Sequence, residues 1–247
     1  MHLPRPWFVL ALIFLGRLQA APDTPAADTT IQIDVSTILD CRVITILKDG
    51  SLIPLTADID GAGGLATKSA SDFLQDKDAH PLPDDGRFPA NERHPDVVLN
   101  YSNADSTRPQ ALRIQGEDVF GFPVPARAYS RLFFFCTSGW GASKISIKLF
   151  YDDHTVERRE LEVPDWFWEL KPDDKHRFYL AADLGKWTKT NKMAERTHHF
   201  IFGLDVQPNP GKTLVKLAVH KTAPGIMVFY GATGTVAKTS PPTGTAN

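Results

Sequence analysis

The chain has 247 residues, of which 42% are hydrophobic and 23% charged, with 27 basic against 29 acidic side chains. This composition excludes a disordered or fibrous protein. A pI of about 6.4 and a net charge of −2 show no excess of positive charge of the kind that binds nucleic acid or anionic lipid. We therefore expect a folded protein without a nucleic-acid partner, long enough for one large domain or two small ones.

The N-terminal segment has the pattern of an export signal. Arg5 precedes an apolar stretch from Pro6 to Gly16, and Leu18-Gln19-Ala20 offers small residues suited to signal peptidase. A membrane anchor is the alternative, but a spanning helix needs about 20 apolar residues, and no later segment reaches that length. We expect residues 1–20 to be a signal peptide and the protein to be secreted or periplasmic, with no membrane span.

The remaining chain divides by composition. Residues 21–30 and 237–247 are rich in Pro, Ala and Thr, and neither segment has enough apolar surface to order itself. They predict a linker and a disordered tail on either side of one domain over residues 31–236.

Short β-type segments separated by turn residues run through that domain. Lys144 to Leu149 alternates polar and apolar residues, and an Asp-rich turn leads to a return segment from Val156, which predicts a hairpin. Leu132 to Phe135 is apolar throughout, as in a strand buried on both faces. The predicted strands are Ile31–Val35, Val43–Leu47, Val97–Tyr101, Ala111–Gln115, Arg131–Cys136, Lys144–Tyr151, Glu157–Val163, Arg177–Ala181, His199–Val206, Thr213–His220 and Ile226–Tyr230.

Many strands, 19 prolines, 17 glycines and only one weak helix candidate, Ala66–Gln75, predict an all-β antiparallel sandwich. The stretch from 58 to 95 is long and poor in strands. Loops of that length usually bind something or are disordered. We expect this loop-rich insert to line a site or to wrap the sandwich.

Cys41 and Cys136 are the only cysteines. An even number of cysteines in an oxidising compartment is compatible with a disulfide. A bridge closing the loop between residues 41 and 136 would stabilise the fold by about 4 kcal/mol. The alternative is a pair of buried thiols. The sequence leaves both open.

The second half shows an ordered series of motifs. Gly121-Phe-Pro-Val-Pro125 is followed by Tyr129-Ser-Arg-Leu132, Thr137-Ser-Gly-Trp-Gly141, a strand to Tyr151, an Asp-rich turn and Val163-Pro-Asp-Trp166. Over residues 115–230 this order resembles galactose-binding-like jelly-roll accessory domains attached to secreted glycosidases. An early Asn-x-Asp-Gly signature of such domains is echoed only by Lys48-Asp-Gly50 and Asp58-Ile-Asp-Gly61. The resemblance implies a jelly-roll fold and carries over no catalytic residue.

Tryptophans are the first candidates for a binding site. Sugars combine flat apolar C–H faces with hydroxyl rims, so their sites pair exposed rings with polar side chains. Trp140 lies in a Gly-flanked segment and Trp187 in a polar one, which favours exposure, whereas Trp166 fits a core position as well as a site. In an extended Asp165–Glu169 segment, Trp166 and Trp168 would point to the same side. The candidate ligand-binding residues are Trp140, Trp187, Trp166, Trp168, Asp165 and Arg177, with Lys186 and Glu169 as further hydroxyl partners.

A metal site is the second candidate. Asp58 and Asp60, with Asp84 and Asp85, lie in Gly-containing loops where oxygen ligands can gather around a structural calcium ion, although plain turns have the same composition. His198 and His199 are adjacent, so in a regular strand they would face opposite sides and not chelate together. No zinc-enzyme spacing occurs.

Three functions remain open. The first is a secreted, non-catalytic carbohydrate-binding module. The second is a polysaccharide-acting enzyme. Acidic side chains near Trp166 are numerous enough to supply the two carboxylates of a glycosidase, and the Tyr, His, Lys and Arg residues could supply the proton-abstracting groups of a polysaccharide lyase. The third is a structural or protein-interaction module of the cell envelope. The sequence does not indicate an oligomeric state.

Overall fold

The computed structural model describes residues 28–76, 78–222 and 224–237. The predicted signal peptide and most of the predicted linker and tail lie outside these residues. Fifteen strands run from Thr29, inside the range expected to be linker, to Val236. They are β1 (Thr29–Ile33), β2 (Ile44–Lys48), β3 (Ser51–Ile53), β4 (Gly63–Ala66), β5 (Arg87–Phe88), β6 (Val97–Val98), β7 (Leu112–Gln115), β8 (Asp118–Arg127), β9 (Arg131–Gly139), β10 (Ser143–Tyr151), β11 (Val156–Val163), β12 (Arg177–Thr188), β13 (Met193–Asp205), β14 (Leu214–Thr222) and β15 (Ile226–Val236).

Two stacked sheets form an antiparallel β-sandwich, as predicted. The larger sheet has the order β1-β15-β9-β13-β12-β4-β2-β3, with β7 also paired to β15, and the smaller sheet has the order β11-β10-β14-β8. The order β1-β15-β9-β13 in the larger sheet and the order β8-β14-β10-β11 in the smaller sheet are together the strand order of a jelly roll. The predicted fold class is therefore confirmed, with β12 as an additional strand.

The inter-sheet core follows from the alternation of side chains along each strand. On β9, Phe134 and Cys136 point towards the smaller sheet and pack with Phe122, Leu217 and Phe229. Because successive side chains on a strand point to opposite faces, Phe133 and Phe135 point the other way. Each of these four β9 side chains is completely buried, so the prediction of a strand covered on both faces is confirmed.

The segment between β1 and β8 covers the second face of the larger sheet. Its apolar side chains, including Ile44, Leu65 and Val97, pack with Phe133 and Tyr230 in a second core. The 58–95 stretch contains β4, the short helix α1 (Lys68–Phe73) and β5. The insert therefore extends the larger sheet through β4 and covers its second face with the remaining residues, which agrees with the expectation that it wraps the sandwich. Within the described residues, no helix has both the length and the apolar character required to cross a membrane.

Of the two alternatives left open for the cysteines, the structure has the pair of buried thiols and not the disulfide. Cys41 and Cys136 are both free and buried. Cys41 packs in the core beneath the insert, and its Sγ donates to the main-chain oxygen of Ala111 at 3.3 Å. Cys136 points into the inter-sheet core on the opposite face of the larger sheet. The sheet thus separates the two thiols, and burial raises the pKa of Cys41 to about 12.

Two parts of the fold break simple strand patterns. The Pro-containing segment of the resemblance, which is not among the predicted strands, belongs to strand β8, whose Pro123 and Pro125 are exposed on the edge of the smaller sheet, where proline is tolerated. The β12–β13 hairpin has register shifts at four places between Tyr179 and Trp187. Such bulges bend a strand and change the direction of its side chains. Several residues of the candidate functional site lie in this hairpin.

Candidate functional site

Trp140 is the most exposed large hydrophobic side chain in the described part of the chain, at 74%. It lies in the turn between β9 and β10 and has φ of 61°, a left-handed conformation that bulky residues rarely adopt. Its Nε1 donates a hydrogen bond to the main-chain oxygen of Asp60, and its Nε1 lies 3.5 Å from where a Cβ on Gly61 would stand. The ring is therefore exposed and also held in place.

Asp165 joins the Trp140 turn to the next aromatic segment. Its Oδ2 accepts from the Gly141 amide at 2.6 Å, and its Oδ1 accepts from the Phe167 amide at 3.0 Å. The Trp166 amide also donates to the Ser138 oxygen at 2.6 Å. Asp165 is buried, and both of its oxygens are engaged. Its predicted role as a hydroxyl partner is therefore not supported, and it positions two loops instead.

The three aromatic residues after Asp165 do not alternate as an extended segment would. The Trp168 amide donates to the Asp165 oxygen at 2.9 Å, so the chain turns here. Trp166 is buried at 3% exposure, whereas Phe167 and Trp168 are about half exposed. The expected same-side arrangement of Trp166 and Trp168 is wrong. Trp166 occupies a core position, one of the two roles that its sequence context allowed, whereas Trp168 is exposed enough to contact a ligand.

A charged cluster lies beneath the aromatic rings. Lys186 Nζ contacts Asp60 Oδ2 at 2.6 Å and Glu195 Oε1 at 3.1 Å, and it lies 5.6 Å from the centre of the Trp166 ring. Burial by itself lowers the pKa of Lys186, but hydrogen bonds to the two carboxylates outweigh it and raise the pKa. Lys186 is therefore a fixed ammonium group that fastens the Asp60 loop to the β12–β13 hairpin.

His198 and His199 occupy the bulged part of β13. His198 has φ of 78°, which breaks the alternation of side chains. Both imidazole rings contact Phe167, at centroid distances of 4.6 and 5.6 Å, so the expectation that they face opposite sides is wrong. His199 is buried against Trp166 at 4.1 Å, and His198 is half-buried at the rim of the site.

Asp58 and Asp60, the first two aspartates proposed for calcium, are paired with cationic side chains, whereas Asp84 accepts hydrogen bonds from Ser69. Asp58 contacts Arg113 at 3.2 Å and Lys189 at 2.5 Å, and Asp60 contacts Lys186. Burial by itself raises the pKa of Asp58, but the hydrogen bond from Lys189 and the neighbouring charges lower it overall. Within the ranges that the structure describes, no three His, Cys, Asp or Glu residues are grouped to hold a metal ion. These residues therefore do not fit a calcium site.

Two predicted site residues lie away from this arrangement. Trp187 is not in a loop: it lies on β12, is fully buried, and donates from Nε1 to Asp76 Oδ2 at 2.9 Å. Gly185 leaves the space for its ring, since a Cβ there would stand 2.9 Å from it. Arg177 starts β12 at the opposite end from Lys186 and pairs with Asp174 at 2.7 Å and Glu162 at 3.5 Å. Neither residue reaches the Trp140 surface.

The site thus consists of Trp140, Phe167 and Trp168 at the surface, the partly exposed Glu195, and the less exposed Asp60, Lys186 and His199. We call this set the aromatic end. Sequence reasoning did not find Glu195 or Arg113, because nothing local distinguishes them from ordinary charged surface residues. The sequence matches no protein-family model and no curated protein.

Proposed function

We propose that this chain is a secreted, non-catalytic carbohydrate-binding module of the galactose-binding-like kind, and that the aromatic end holds the sugar. The observation that carries the proposal is Trp140, an indole with 74% exposure that a left-handed backbone and a hydrogen bond to Asp60 hold in one place. A fixed ring loses little conformational entropy when a flat C–H face of a pyranose stacks on it.

The neighbouring side chains supply the remaining parts of a sugar site. Phe167 and Trp168 offer further apolar area at 46% and 51% exposure. The Glu195 carboxylate is 42% exposed, and its Oε1 is held 3.1 Å from Lys186 Nζ. A carboxylate that is fixed by an ion pair and still exposed to solvent can accept a hydrogen bond from a sugar hydroxyl. The export pattern in the sequence fits a protein that meets polysaccharide outside the cytoplasm.

A glycosidase is the second candidate, because of one geometric observation. Asp60 and Glu195 both contact Lys186 Nζ, and contacts of 2.6 and 3.1 Å keep those two oxygens less than 6 Å apart. Retaining glycosidases hold two carboxyl groups at about 5 Å. Such an enzyme needs one of them free to act on the glycosidic oxygen as the general acid, whereas one oxygen of each carboxylate here accepts a hydrogen bond from Lys186 Nζ. The charge arrangement therefore favours binding without hydrolysis.

A test compares two aromatic substitutions. We expect the wild type to bind one or more neutral polysaccharides, such as galactan, xylan or mannan, in affinity electrophoresis. Trp140→Ala should weaken that binding by about 1–3 kcal/mol, by analogy with stacking of nucleic-acid bases on aromatic rings. Phe73→Ala is the matched control, because Phe73 is 53% exposed on α1 and is not part of the aromatic end.

The outcomes separate the three functions. Equal binding by wild type and Trp140→Ala contradicts the proposed site, and no binding to any glycan favours a module that binds protein in the envelope. Release of reducing ends from the bound polymer, abolished in Glu195→Gln, would establish the glycosidase instead.

A further inference from the structure

The outer face of the smaller sheet forms a groove across its strands. Side chains at alternate positions point outwards, and three small residues, Gly121, Ser146 and Ala218, lie on neighbouring strands. Phe150 and Val119 stand on either side of this floor, and Val119 is 62% exposed. The groove is separate from the aromatic end, which is built from the turns and the β12–β13 hairpin.

Two like charges face each other on this groove. Lys148 of β10 is directly opposite Arg158 of β11 in the strand register, and such pairs destabilise a sheet. Arg158 contacts Glu160 of its own strand. Lys148 has no carboxylate within 4 Å in the part of the chain that the structure describes. Arg158 therefore has a carboxylate partner, whereas Lys148 faces a like charge in the register without one.

More positive charge lies on the same face. Lys144 and Lys216 also point outwards: Lys144 is directly opposite Glu162 of β11 in the strand register, and Lys216 has no carboxylate within 4 Å among the described residues. Lys216 Nζ lies 5.7 Å from the centre of the Phe150 ring. Lys144 and Lys148 are four residues apart on one strand, so about 13 Å separates their backbone positions. Lysines are therefore spread along β10 and β14, although the whole chain has a net charge of −2, and the exposed carboxylates of β11 on this face, Glu160 and Glu162, lie at the edge of the sheet.

We infer that this groove binds an extended polysaccharide bearing carboxylates, a polyuronate. Its regularly spaced anions would meet Lys144, Lys148 and Lys216, and its sugar rings would lie on the floor beside Phe150. A single small anion would engage one lysine and leave the others unmatched. The strands beneath are held rigid by the inter-sheet core, so the lysines are presented without rearrangement of the backbone.

The test uses a galacturonate oligosaccharide of six or more residues and its methyl ester, measured by isothermal titration calorimetry. We expect the acid to bind more weakly as NaCl is raised and the neutral ester not to bind. Lys148→Ala should weaken binding about tenfold, the loss typical of one charge-assisted contact. It should leave the melting temperature unchanged or raised, because a like-charge contact is removed.

The matched control is Lys175→Ala, an exposed lysine in the loop before β12. This variant should bind like the wild type, and so should Trp140→Ala, which separates this groove from the proposed function. No binding by the wild type, unchanged binding by Lys148→Ala, or equal binding of the methyl ester would overturn the inference. Dextran sulfate binding as tight as that of the galacturonate would overturn it too, because charge density alone would then explain the affinity.

Discussion

Trp140 Nε1 donates its hydrogen bond to the main-chain oxygen of Asp60, so the most exposed large hydrophobic side chain of the described residues is fastened to a loop of the insert. That loop is held in turn by Arg113 of β7. Arg113 Nε donates to the Asp58 main-chain oxygen at 2.6 Å, and its Nη2 contacts Asp58 Oδ1 at 3.2 Å. The position of the ring therefore depends on a residue that never touches it.

We predict that Arg113→Met weakens both folding and sugar binding. The change leaves the buried Asp58 carboxylate with fewer partners, and losing one member of a largely buried pair costs about 2 kcal/mol or more. Urea denaturation measures the free energy of unfolding, and affinity electrophoresis measures binding. Arg127→Met is the control, because Arg127 is exposed and, among the described residues, its side chain hydrogen-bonds only to the neighbouring Ala126 oxygen. Unchanged binding in Arg113→Met would show that the loop needs no such support.

His199 predicts a dependence of stability on pH. Burial lowers its pKa from the ordinary value, although Glu195 at 3.6 Å and the Leu184 oxygen act in the opposite direction. Lys186 lowers this pKa further, and Asp60 raises it. Below about pH 6.5 the His199 side chain is therefore protonated in the unfolded chain but still neutral in the folded chain. We expect the contribution of His199 to stability to be complete above pH 6.5 and to fall as the pH falls towards the lowered pKa.

The measurement is the melting temperature between pH 7.5 and pH 5 for the wild type and His199→Gln. The slope in this range should be smaller in the variant, which has no imidazole to protonate. His80→Gln, at an exposed position, should keep the wild-type slope. A slope that stays the same in His199→Gln would assign the pH dependence to other groups.

Local patterns predicted most of the sandwich. All eleven predicted strands overlap observed ones, because period-two alternation and continuous apolar stretches reflect which faces are buried. Strand β8 was not predicted, since Pro123 and Pro125 indicate a loop unless the strand lies at an edge. Its edge position depends on β14, almost 100 residues further along the chain.

The site was less predictable than the fold. Trp187 has polar neighbours typical of a loop, yet bulges extend β12 until this residue pairs with Gly64 and its ring is covered. Lys186 and Asp60 meet across 126 residues, and no local pattern encodes such a contact. Trp140 was identified because glycines flank it, and glycine next to a large ring is a local signal of a turn.

The two thiols give a prediction about redox conditions. Cys41 and Cys136 lie on opposite faces of one sheet and are buried, so we expect dithiothreitol to leave the melting temperature unchanged. Ellman's reagent should label no thiol in the native protein and two in 6 M guanidinium chloride. A lower melting temperature under reducing conditions, or fewer than two thiols after unfolding, would indicate a bridge instead.

Trp187 and Trp140 should respond in opposite ways to the same substitution. Trp187→Phe removes a buried N–H that donates to Asp76 at 2.9 Å and leaves space in the core around Ala66 and Ala70. We expect it to reduce the free energy of unfolding by about 1–3 kcal/mol and to leave sugar binding intact. Trp140→Phe keeps an exposed ring but loses the bond to Asp60, so it should weaken binding and change stability little. Urea denaturation and affinity electrophoresis on both variants check the contrast, and weakened binding in Trp187→Phe at full stability would contradict it.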